Sequence, residues 1–149
     1  MSCGTLVIGA GNELRRDDGA GVAAVHRLRS AGLEVLQAGG DLALLVRLWE
    51  GRERVIIVDA VRSGAAVGTL HRFDAIAGPL PAVFDRGSTH SFGVAEAVEL
   101  ARVLGRLPAS LVLYGIEGAD FSPGEGLSPE VEQAVELAAA RIEYEVRLA

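Results

Sequence analysis

Three polar features of this 149-residue chain combine chemically useful side chains with positions where open α/β sheets keep their sites. They are Asp17-Asp18 beyond a first apolar run, Asp59 at the end of a third, and His90 at the start of a helical pattern. Two carboxylates and one imidazole can ligate a borderline divalent ion such as nickel or zinc and leave coordination positions open for a substrate group. No pair among them has a diagnostic spacing, so each also has a plainer reading. Asp18 followed by Gly19 suits a helix cap or a turn, and Asp17 reads as the structural member of the pair. Asp59 leans toward function, because an ionisable group closing an apolar strand is costly to bury without a partner. His90 taken alone suits a solvated first helical turn. His71 alternates with apolar residues and His26 lies among arginines, so both read as structural or exposed, and Glu13 reads as a solvated loop residue.

The elements that must position these groups follow from hydrophobic periodicity. Residues 4–9 read as a buried strand, followed by the turn Gly9-Ala10-Gly11 and a helix over Asp18–Arg29 with Asp17 or Asp18 as its N-cap. Leu33–Ala38 is a second strand, after which Gly39-Gly40 turns the chain and Asp41 caps a helix through Leu42, Leu45, Leu48 and Trp49. Arg54–Asp59 is a continuous β-branched run of the kind buried on both faces of a parallel sheet. Val67–Phe73 alternates at period two and is reached without a helix, as an antiparallel edge strand would be. A hydroxyl among Ser88, Thr89 and Ser91 caps a helix bearing Val94, Ala97, Val98, Ala101 and Leu104. Ser110–Ile116 is a further buried strand, and Ser128-Pro129 opens the last helix. Between them, the acidic, Gly-rich loop Glu117–Leu127 is long enough to move over a substrate. The expected architecture is one domain over 1–149, with three αβα layers around a mostly parallel twisted sheet of about five strands and one antiparallel edge strand.

Composition narrows the function classes. The net charge is -6, all 14 basic residues are Arg, and no basic run occurs, which argues against nucleic acid as a partner. The apolar runs are short and interrupted, so no membrane span is expected. The single cysteine, Cys3, excludes an intramolecular disulfide and a multi-Cys zinc site, and no signal-peptide pattern precedes it. A cytoplasmic monomer is the expectation. Gly9-Ala10-Gly11 begins like a dinucleotide fingerprint, but Leu14 occupies the third glycine's place and Gln37-Ala38 stands where a ribose-binding acid belongs. A phosphate loop needs a Lys that the chain lacks, and no Gly-x-Ser-x-Gly elbow is present.

Taken together, several short motifs resemble the hydrogenase maturation endopeptidases. They are Gly9-Ala10-Gly11-Asn12-Glu13-Leu14-Arg15-Arg16-Asp17-Asp18-Gly19-Ala20-Gly21, Gly39-Gly40, Val58-Asp59-Ala60, Thr89-His90-Ser91-Phe92-Gly93 and Gly126-Leu127-Ser128-Pro129. Each is weak alone, whereas their order and spacing are specific and span nearly the whole chain. The resemblance implies removal of a C-terminal extension from a nickel-hydrogenase large-subunit precursor after nickel insertion. It also implies that Asp18, Asp59 and His90 contact the metal, with nickel carried by the precursor and zinc or cadmium able to take the same place. Some family members have Glu at the position of Asp18. Two mechanisms remain open, metal-directed recognition and an Asp18–Asp59 acid/base pair, although Asp59-Ala60-Val61 lacks the Asp-Thr-Gly context usual for the second. Two other classes use the same sequence differently: a non-proteolytic chaperone escorting nickel or the precursor, and a small nucleotide-binding domain.

Overall fold

The computed structural model describes residues 4–39, 44–81 and 93–148, so Cys3, Asp41, Ser88, Thr89, His90 and Ser91 lie outside the described residues. The strands are β1 (Thr5–Ala10), β2 (Val35–Gly39), β3 (Arg54–Val61), β4 (Leu70–Asp74) and β5 (Ser110–Glu117). The helices are α1 (Ala20–Ser30), α2 (Leu45–Leu48), α3 (Val94–Val103) and α4 (Pro129–Leu148). One five-stranded sheet has the order β2-β1-β3-β5-β4. It is parallel throughout except at the β4 edge, which runs antiparallel to β5.

Strands β1, β3 and β5 are apolar at nearly every position because each faces a hydrophobic layer on both sides. On one face, Leu6, Ile8, Ile57 and Leu113 pack with Leu45 and Trp49 and with Val94 and Val98 of α3. On the other, Val7, Ile56, Val58 and Val112 pack with Val25 and Leu28 of α1 and with Val135 and Ile142 of α4. Strand β1 leads through α1 to β2 on one side, and the chain then returns past β1 through α2 to β3 on the other. The helices therefore lie on opposite faces, and the carboxyl ends of β1 and β3 flank the point where strand order reverses. That crevice is where doubly wound sheets accommodate ligands.

Several element boundaries differ from expectation, each for a local reason. A 3-10 turn, Arg16–Gly19, precedes α1, and its cap positions make no side-chain hydrogen bond, so neither Asp17 nor Asp18 acts as an N-cap. Strand β2 begins two residues late because the Leu33 amide still bonds the Leu28 carbonyl at the end of α1. Strand β3 continues past Asp59, since β5 goes on pairing with it through Ala60↔Ile116 and Val61↔Glu117. The edge strand starts only at Leu70, after a bend in which Gly68 has φ +89°. Helix α3 is capped at Gly93, whose amide donates to Glu96 Oε1 at 2.8 Å. Among the described residues, no helix is long and apolar enough to cross a membrane.

The close packing of α1 on the sheet requires a glycine. A Cβ on Gly21 would lie 2.2 Å from the Val58 carbonyl oxygen and 2.6 Å from that of Ala10, both backbone atoms that cannot step aside. Gly21→Ala is expected to cost about 2–3 kcal/mol, as overpacking does. Gly78→Ala, where nothing lies within 4 Å, should be nearly neutral. Urea unfolding of both variants beside the parent protein checks the contrast.

Candidate active site at the sheet's switch point

The loop leaving β1 folds back on itself. Gly11 adopts φ +115°, and a Cβ there would stand 2.1 Å from the Asp18 carbonyl oxygen and 3.6 Å from Asp59 Oδ1. One glycine thus lets the 3-10 turn close against the end of β3. The Asn12 amide donates to Asp18 Oδ2 at 2.9 Å, and the Asp18 amide donates to the Arg15 carbonyl at 3.0 Å. Asp18 is 2% exposed and Asp59 is 7% exposed.

Asp59 lies one residue beyond the last β1–β3 pair, Gly9↔Val58, but still within the β3–β5 ladder. It shares a face with Ile57 and Val61, the face covered by α2 and α3. Asp18 comes from the turn that feeds α1, on the opposite face. The two carboxylates therefore approach across the rim of the sheet. Burial, and secondarily the negative charge of Asp18, raise the Asp59 pKa to about 8, while the 2.8 Å bond from the Ala60 amide opposes the rise.

Asp17 faces the other way and has a different task. Its carboxylate accepts the amides of Ala119 (2.8 Å), Asp120 (3.0 Å) and Ser128 (2.7 Å), and the Ser128 hydroxyl (2.7 Å). These bonds hold its pKa low against the opposing effect of burial. Backbone bonds from Arg16 to the Gly124 carbonyl and from Gly124 to the Leu14 carbonyl add to the attachment. The 117–127 loop, long enough to move over a substrate, is fastened to the turn that carries Asp18.

A further buried carboxylate, Glu117, was not singled out by sequence reasoning, although it ends the apolar strand β5. It accepts the Ser63 amide and hydroxyl and the Gly64 amide, and lies 3.2 Å from His71 Nε2. These bonds lower its pKa despite burial and anchor the segment that leaves β3. His71 is accordingly a half-buried structural partner, and His26 is exposed and 2.8 Å from the Gln37 amide nitrogen. Among the described residues, no three His, Cys, Asp or Glu side chains are grouped to hold a metal ion. The structure brings Asp18 and Asp59 together, while His90, the expected third ligand, lies outside the described residues. The two carboxylates do fit a cation chemically, because a divalent ion would offset both the burial that chiefly keeps a proton on Asp59 and the repulsion from Asp18 that adds to it.

Fold and site define an αβα protein with two buried carboxylates meeting at the switch point of its sheet. The family model for hydrogenase maturation proteases matches residues 22–145, and the chain belongs to that family. It is 31% identical over 136 residues to the hydrogenase expression/formation protein HupD of Thiocapsa roseopersicina, covering 87% of this chain and 62% of that protein. Among solved structures it resembles the hydrogenase maturating endopeptidase HybD from E. coli, with TM-score 0.82, 30% identity, and coverage of 97% of this chain and 92% of that one. It also resembles the [NiFe] hydrogenase maturation protease HybD from Thermococcus kodakarensis, with TM-score 0.77, 29% identity and coverage of 96% and 99%.

The carboxyl resonance of Asp59, followed by NMR, should titrate near pH 8 in the metal-free protein, and Asp18→Asn should lower that midpoint. The folded chain keeps a proton that the unfolded chain releases near the ordinary value of 3.8, so this group reduces stability as pH rises from 3.8 to about 8 and adds no further slope above. Asp59→Asn should remove that slope in unfolding curves taken across the range. Asp17→Ala, which strands four donors, is expected to cost about 2–4 kcal/mol. Hydrogen exchange should then quicken first at Ala119, Asp120 and Ser128.

Proposed function

We propose that the protein is an endopeptidase that removes the C-terminal extension of a nickel-containing hydrogenase large-subunit precursor after nickel insertion. The observation that carries this reading is the joint burial of Asp18 and Asp59 at the switch point of the sheet, which raises the Asp59 pKa to about 8. Nickel belongs to the substrate. Asp18, Asp59 and His90 complete its coordination, Asp59 yielding its proton as it does so, and the scissile peptide is fixed at the rim by that attachment. Zinc or cadmium would compete for the same donors. Membership of the family, and the names borne by the two structural relatives, support the precursor as the partner.

The raised Asp59 pKa also favours a second reading of the chemistry. A protonated Asp59 beside a charged Asp18 has the form of an acid/base pair, with Asp18 taking a proton from the attacking water and Asp59 giving one to the departing amine.

Nickel-loaded and metal-free precursor, incubated side by side with the enzyme and sized on a gel, separate these readings. Shortening of the loaded precursor alone is the expected result, and equal rates on both would remove metal-directed recognition in favour of the acid/base pair. Binding without shortening would instead make the protein a maturation chaperone. Asp18→Asn, Asp59→Asn and His90→Ala should each lower processing at least about a hundredfold, as loss of a group acting in the transition state does. Retained activity in Asp59→Asn and His90→Ala would eliminate the site.

A further inference from the structure

On the outer side of the Asp18 turn lies a cleft of about 440 Å³, lined by Glu13, Leu14, Arg16, His26, Glu125 and Leu127, with Gly19 in its wall. It is separate from the face that Asp59 occupies, yet Gly19 directly follows Asp18 in the chain. Consecutive Cα atoms are about 3.8 Å apart, so the wall of this cleft begins one residue along the chain from Asp18.

The cleft is preformed. Arg16 sits in the left-handed region, with φ 48°, which a non-glycine residue adopts only when held there. Its amide bond to the Gly124 carbonyl holds it there, and its guanidinium lies where a Gly124 Cβ would be, 2.7 Å from Nη2. That guanidinium donates to the Glu125 carbonyl at 3.3 Å and pairs with Asp120 at 3.7 Å, so its charge is already answered. The exposed His26 ring is taken up by Gln37. By contrast, neither Glu13 nor Glu125 has an ion-pair partner among the described residues. Leu14, 59% exposed, and the half-buried Leu127 supply apolar surface between them. Two carboxylates without counter-ions beside apolar surface complement one kind of side chain, a cation on a long aliphatic stem.

We propose that this cleft seats a segment of the precursor carrying an Arg or Lys, its stem against Leu14 and Leu127 and its charge between Glu13 and Glu125. The inference rests on the processing reading and adds to it a specificity subsite distinct from the metal-contacting residues. Binding there contributes to capture of the substrate and leaves the chemical step alone, so its loss raises KM without lowering kcat.

The test uses nickel-loaded precursor with the full-length enzyme and with Glu13→Gln/Glu125→Gln. Both positions are exposed, so the variant is expected to fold. Its KM should rise about fivefold at low salt with kcat unchanged, and added salt should raise the parent's KM while leaving the variant's alone. The precursor's Kd, measured by surface immobilisation, should weaken by the same factor. Equal KM and Kd for parent and variant would overturn the proposal, as would a fall confined to kcat. If the parent enzyme fails to shorten the precursor while its Kd still depends on the two glutamates, the processing reading falls and the subsite stands.

Discussion

A carboxylate buried at the edge of a parallel ladder must be answered by a proton, a hydrogen-bond donor set or a cation, and the rim of this sheet shows the first two side by side. Glu117 and Asp17 have full sets of donors and remain charged. Asp59 receives one amide and faces the charge of Asp18, so burial leaves it protonated near neutrality. The group with the fewest donors is the one whose pKa is raised, while its better-satisfied neighbours hold the backbone around it.

The same logic explains the glycines. Gly11 permits the first loop to turn back toward β3, and Gly21 permits α1 to press against the ends of β1 and β3. A side chain at either point would lift the turn away from the strand and separate Asp18 from Asp59. Packing and chemistry are thus coupled at the start of the chain, where the backbone approaches most closely.

Much of this was legible in the sequence. The β-branched run at β3 reads as a central strand because burial on both faces demands such residues, and it is central in the sheet. The antiparallel edge is legible in the period-two alternation that ends at Phe73. Asp59 could be selected because an acid within such a run needs a reason. Other features depend on partners distant in sequence and leave no local mark. The tail of β3 is extended by β5, so Asp59 is inside a strand and not at its close. Asp17 looks like a helix cap until the donors of residues 119–128 are known, and Glu117 looks like a loop residue until Ser63 and Gly64 are seen against it. Family resemblance supplied His90 where local pattern left its role ambiguous.

The attachment at Asp17 also has a temporal meaning. Its partner Ser128 is 111 residues away, so the turn bearing Asp18 gains its far anchor only after most of the chain has been synthesised. Loop closure of that length is among the later and slower events in folding. A nascent chain can form β1, α1 and β3 with both carboxylates present and still lack the clasp that aligns them. An unfinished copy therefore carries both buried carboxylates of the rim without the clasp that fixes the turn bearing one of them.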